Sequence, residues 1–221
     1  MDASSASARS RTAPDELRAR RRAARVAGNR SDILDAAERT FAERGLTDGS
    51  LRDIAKSAGF STAAIYNYFD NKQHLLAETL ARRGEQLLDV IEGAAQGGSG
   101  PLAKLHRIVD ETVAFFATYP DFRRILRHAR DADETVAAVL TRLAPDRVDL
   151  FPRTLALMTS IVEEGQRAGE IRVGSPDALI HLYMALVYEH VFLAGSANSA
   201  GTLTLEQFQD LVDGALRAPS R

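Results

Sequence analysis

The chain has 221 residues, 45% hydrophobic and 26% charged, an ordinary balance for a soluble globular protein. Its formal net charge is −2. It has no cysteine, which excludes a disulfide scaffold, a cysteine nucleophile and thiolate zinc ligands and fits a reducing cytoplasm.

The charge is unevenly spread. Residues 1–30 carry eight Arg against Asp2, Asp15 and Glu16, while residues 91–221 are net acidic. A basic arm on a near-neutral body suits a polyanion bound at one end, or else is a solvated tail. No apolar run suggests a secretory leader near the start. Residues 1–13 have little to bury and are expected to be disordered. Residues 14–27 favour helix, and Gly28-Asn29 is expected to interrupt it. Ile33, Leu34, Ala37 and Phe41 then recur at helical spacing up to Gly45.

A second helix is expected from Ser50, its cap, to Gly59. A third runs from Ser61 or Thr62 through Phe69, and a longer one from Lys72 to about Glu92. The stretch AAQGGSGP at 94–101 reads as a linker. Further helices are expected at 102–119, 122–130, about 134–143 and 151–168. Ser175-Pro176-Asp177 is a strong helix start, and 205–216 is the last helix. The apolar run 178–194 holds His181, Glu189 and His190 and is short for a membrane span, so it reads as a buried helix. No stretch alternates with period two. The fold class is all-α.

Two short helices joined at a glycine within about twenty residues make a helix-turn-helix. Small Ala55 lets the next helix cross closely, and Gly59 takes a positive φ. Ile54, Phe60, Ile65 and Phe69 are expected to bury together. Thr62, Ala63, Tyr66 and Asn67 are then left on the open face. Helices this short need the helix carrying Ile33 and Phe41 to complete a core.

Three segments carry a resemblance: "ILDAAERTFAERG", "SLRDIAKSAGFSTAAIYNYFDNKQHLLAETL" and the all-α remainder. With them the chain resembles the tetracycline-repressor (TetR) family of bacterial transcription regulators, most specifically over residues 31–80. Composition gives a basic arm at 1–29, disordered or partly helical, and the resemblance implies a DNA-binding domain at 30–76 and an effector-binding, dimerising domain at 77–221. It places Ser61–Phe69 in the major groove, with Tyr66, Tyr68 and Lys72 on phosphates. Ser50 and Arg52 would approach the backbone, and Lys56 would add charge. Ala63 and Ala64 stand where Gly-Thr is common, so base reading leans on Thr62, Tyr66 and Asn67. Asn67 suits adenine, and the alanine methyls suit thymine.

The partners expected are double-stranded operator DNA, a small-molecule effector and a second copy of the chain, docked through the last two helices. Leu203, Leu205, Phe208, Leu211, Val212 and Leu216 give the last of these an apolar face. Candidate effector-pocket residues are His106, Phe116, Tyr119, Phe122, Met158, Tyr183, Met184 and Tyr188, with His181 and Glu189 as further polar groups. Few charges fall among them, so the effector is expected to be largely apolar. No catalytic motif is present, and neither a cofactor nor a metal is expected; Glu189-His190 are adjacent and point to different sides of a helix. The competing reading is a helical binding or interaction dimer that has lost DNA binding, since the reading helix has no Arg or Lys.

Overall fold

A computed structural model describes residues 6–131, 150–193 and 202–219. They form α1 (Ala6–Asp48), α2 (Leu51–Ala58), α3 (Thr62–Ile65), α4 (Lys72–Ala95), α5 (Pro101–Thr118), α6 (Pro120–Asp131), α7 (Leu150–Ala168), α8 (Pro176–Leu193) and α9 (Leu205–Leu216). The all-α expectation holds. Among the described residues, β pairing is limited to an isolated bridge between Ile171 and Arg217, which ties the end of α9 to the turn after α7. The helix expected at about 134–143 lies outside the described residues.

α1 differs from expectation in two ways. It runs through Gly28-Asn29 without a break, and it is already helical from Ala6. One helical glycine costs only about 1 kcal/mol relative to alanine. That cost is met by tertiary bonds alongside: Asn29 Nδ2 donates to Tyr68 Oη at 3.1 Å, and Arg30 pairs with Glu78. The early start follows from composition, because alanine and arginine are strong helix formers. Low hydrophobicity deprives a segment of burial, not of helical geometry. Gly45 does break α1, at φ 82° and ψ 170°.

α3 is also shorter than expected. Its helix ends at Ile65, and the chain continues through a turn closed by Tyr68 N–H to Ile65 O at 2.9 Å and Phe69 N–H to Ile65 O at 3.0 Å. Pro120, expected to end α5, also opens α6, where its missing N–H costs nothing.

Two apolar cores organise the molecule. The first joins α1–α4 to the end of α5, to α6 and to Val191 of α8. Ile33, Leu34, Ala37, Phe41, Ile54, Ile65 and Phe69 are all buried in it, and Phe60 packs half-buried against it. The second joins the far half of α4, the start of α5, α7, α8 and α9 around Tyr183, Phe208 and Val212. α4 and α5 therefore thread both cores.

Phe41 lies at the centre of the first core, with its ring edge against buried Gly49. Phe41→Ala should destabilise the protein by about 3–5 kcal/mol in equilibrium denaturation. An unchanged midpoint would show that the first core does not depend on it.

Candidate nucleic-acid interface and effector cleft

Each short helix is set by a side chain placed just before it. Ser50 Oγ accepts from Asp53 N–H at 3.1 Å and caps α2. Ser61 Oγ accepts from Ala64 N–H at 3.1 Å and caps α3. Asn71 Oδ1 accepts from His74 N–H at 2.8 Å and caps α4. The Asn71 cap was missed in the sequence, although Asn followed by a helical run is the signal for one. Between α2 and α3, Gly59 takes φ 74°, and Phe60 N–H reaches Ala55 O at 2.9 Å.

The two cap serines differ in what they can still offer. Ser50 donates its hydroxyl hydrogen to Asp53 Oδ2 at 2.6 Å. Asp53 also accepts from Arg44 at 2.9 Å. The Ser50 hydrogen bond, helped by Arg44, holds the Asp53 carboxyl below the usual range. Ser50 is thus a positioning residue with its donor engaged. The Ser61 hydroxyl keeps its hydrogen for an outside acceptor.

Most of the predicted DNA-contact residues are open to solvent. Arg52, Lys56, Ser61, Ala63, Tyr66 and Asn67 are exposed, and Thr62 and Ala64 are half-buried. Tyr66 is 56% exposed, a large aromatic ring that the core does not use. Tyr68 is half-buried, and its hydroxyl accepts from Asn29 while remaining free to donate. Lys72 donates one hydrogen to the Thr47 carbonyl and retains two. The sequence reading missed Asn29 and Arg30. Arg30 lies over the Phe69 ring at 5.3 Å.

The matching family model is that of bacterial regulatory proteins of the tetR family, over residues 33–79. The chain is 30% identical over 175 residues to the transcriptional regulator BetI of Agrobacterium fabrum, covering 70% of this chain and 85% of that one. It is 31% identical to the transcriptional repressor BepR of Brucella suis, covering 69% and 73%. The chain belongs to the TetR family. It is a DNA-binding transcriptional regulator. Its fold also matches the ketosteroid transcriptional regulator KstR2 of Mycobacterium tuberculosis, with a TM-score of 0.68 at 20% identity, over 86% of this chain and 95% of that one.

The predicted effector residues of this TetR-family chain do not gather in one place. Phe116, Phe122, Tyr119 and Tyr188 belong to the first core, where Phe116 and Phe122 stack 5.9 Å apart. Met158, Tyr183 and Met184 belong to the second. Tyr183 donates to Leu105 O at 2.8 Å, and burial pushes its phenol well above the usual range. His106 contacts Asp213 Oδ1 at 2.7 Å and so joins α5 to α9. His181 and Glu189 lie exposed on α8. A cleft of about 430 Å³ instead opens between α4 and α5, lined by Gln86, Asp89, Val90, Glu111, Ala114, Phe115, Thr118 and Tyr119. Of the predicted set, Tyr119 alone lines it.

Tyr66→Ala removes an exposed ring and should leave thermal stability within about 0.5 kcal/mol of the parent. Phosphate contacts position a protein on DNA without reading sequence. The variant should therefore lose affinity about tenfold on operator and non-operator duplexes alike in a mobility-shift titration. Undiminished affinity would remove Tyr66 from the interface.

Proposed function

We propose that the protein is a homodimeric repressor released from a near-palindromic operator by a small effector. The observation that carries this reading is a continuous path from the cleft to the DNA-binding unit. Arg83 of α4 stacks its guanidinium on the Tyr119 ring at 3.9 Å and donates to Gln86 Oε1 at 2.7 Å. Both partners line the cleft. The same Arg83 donates through Nε to Glu38 Oε2 at 2.8 Å, and Arg82 reaches that oxygen at 3.0 Å. Glu38 belongs to α1 and is buried. An effector that moves Tyr119 or Gln86 thus disturbs the ion pairs that set α1 against α4. It acts only insofar as it binds two arrangements unequally, and a shift from 99:1 to 1:99 needs about 5.5 kcal/mol.

Dimerisation through α8 and α9 is supported by what these helices leave uncovered. Leu182 and Leu193 of α8 are 46% and 45% exposed, and Leu211 of α9 is 48% exposed. Ala178 and Ala185 share the outward stripe of α8 with Leu182, small enough for close helix approach. His190 stacks on Phe208 at 4.3 Å and joins the two helices into one unit. A two-fold pair would present its reading turns to half-sites about 34 Å apart, or a multiple of this. The protein acts by binding rather than by catalysis, in the cytoplasm with its DNA. Among the described residues no helix is long and apolar enough to cross a membrane.

The cleft also refines the kind of effector. Phe115, Val90 and Ala114 offer apolar surface, while Asp89 and Glu111 make no ion pair among the described residues. We infer an effector with an apolar body and a basic group.

Selection from a randomised duplex library should return a near-palindrome. On that duplex Arg83→Met should fold, because Arg82 still holds Glu38, yet operator affinity should change at least fivefold, the lower end of typical coupling between sites. Unchanged affinity would break the proposed path. In thermal-shift titrations, benzyltrimethylammonium should raise the unfolding temperature and phenylacetate of similar size should not. The reverse order would refute the basic effector.

A further inference from the structure

Residues 16–28 of α1 form a helix that packs on nothing among the described residues. Residues 16–28 are all exposed. They include Arg18, Arg20, Arg21, Arg22 and Arg25 against Glu16 alone. Even Leu17 and Val26 are 51% and 44% exposed. A helix that is polar all round gains no stability from burial.

The direction of this helix is set at its far end. Asn29 holds the Tyr68 hydroxyl, and Arg30 covers the Phe69 ring and pairs with Glu78. Tyr68 directly follows the exposed reading turn. At about 100° per residue, Arg25, Arg22 and Arg18 fall within roughly 40° of Asn29 around the axis, and Arg21 flanks them. At 1.5 Å per residue, Arg25 lies about 6 Å beyond Asn29 and Arg22 about 10 Å beyond it. The arginine stripe therefore shares the side of α1 that touches Tyr68 and extends it outward. Arg21, Arg22 and Arg25 have no ion-pair partner among the described residues.

We propose that this half of α1 is a second DNA-binding element, gripping phosphates of the duplex just outside the half-site met by α3. The proposal rests on the regulator reading above. Its partner is chosen by charge: the guanidinium groups of Arg21, Arg22 and Arg25, with no ion-pair partner among the described residues, suit a polyanion, and their alignment with Tyr68 places that polyanion next to the reading turn. Backbone phosphates carry no base identity, so the element adds affinity to all sequences alike. This accounts for a reading surface that has no Arg or Lys between Lys56 and Lys72.

The test uses the full chain and the selected operator, once with long flanks and once trimmed to its half-sites. Each phosphate neutralised contributes about 0.9 to the slope of log affinity against log salt. The combined variant Arg21→Gln, Arg22→Gln, Arg25→Gln should flatten that slope by up to about 2.7 per bound chain on the long duplex. Its footprint should shorten, and its preference for operator over random DNA should be unchanged. Trimming should weaken the parent at least tenfold and the variant hardly at all. The proposal is overturned if the variant keeps the parent's slope on the long duplex. It is equally overturned if the substitutions abolish binding to vesicles of anionic lipid while leaving DNA binding intact. A parent chain that selects no duplex would instead refute the regulator reading itself.

Discussion

The DNA-binding unit is built from helices that cannot stand alone. α2 has eight residues and α3 four. Isolated helices shorter than about 12–15 residues are marginal in water. Their geometry is therefore imposed from outside, by the apolar core under Ile54, Ile65 and Phe69 and by a cap at the head of each helix. That dependence has a use. A unit held by its surroundings responds when the surroundings shift, whereas a self-sufficient one would not. The first core also takes in the end of α5 and α6, with His128 of α6 contacting the Ala42 carbonyl at 3.0 Å. The reading turn is thus mechanically part of the body that holds the cleft.

The buried Glu38 carboxylate joins α1 to α4 through two arginines. Removing one partner of a buried ion pair is costly, whereas a satisfied pair contributes little net stability. Two arginines on one carboxylate make the arrangement tolerant, since either alone still neutralises it. Arg83 divides its contacts among Glu38, Gln86 and Tyr119. Arg82 is committed to Glu38 and to Asp35 at 2.7 Å, and its Nε is buried with no hydrogen-bond partner. Arg82 is held on α1, and Arg83 shares its contacts between α1 and the cleft, which suits the proposed link between two arrangements of these helices.

Much of the reading unit was legible because its chemistry is local. Ser50, Gly59 and the apolar spacing of Ile33, Leu34, Ala37 and Phe41 act within a few residues, and a local signal survives in a one-dimensional reading. The errors arose where distant partners decide. Gly28-Asn29 reads as a break, yet Tyr68, thirty-nine residues away, holds it. The candidate effector residues are aromatics in apolar runs, and of these Phe116, Phe122 and Tyr183 are buried. The cleft between α4 and α5 carries Asp89 and Glu111, charged residues on the outer sides of these helices. Only the pairing of those helices shows them to be neighbours.

On the proposed reading, affinity and selectivity are housed in different places. The surface at Ser61–Asn67 offers hydroxyls, an amide, two methyls and an aromatic ring, but no net charge. Apart from the Tyr66 ring, assigned to phosphate, such groups discriminate by fit and by unmet hydrogen bonds, and they add little to a non-specific complex. The cations sit around this surface, on Arg52, Lys56, Lys72 and the arginines of α1. In a regulator that must leave its operator, this separation matters. Charge-driven attraction keeps the protein near DNA whatever the sequence, while the neutral turn decides where it stops. An effector that tilts α1 against α4 needs only to spoil the register of the turn. On that reading it need not overcome the proposed attraction of the arm, so it can release a site without driving the protein from DNA altogether.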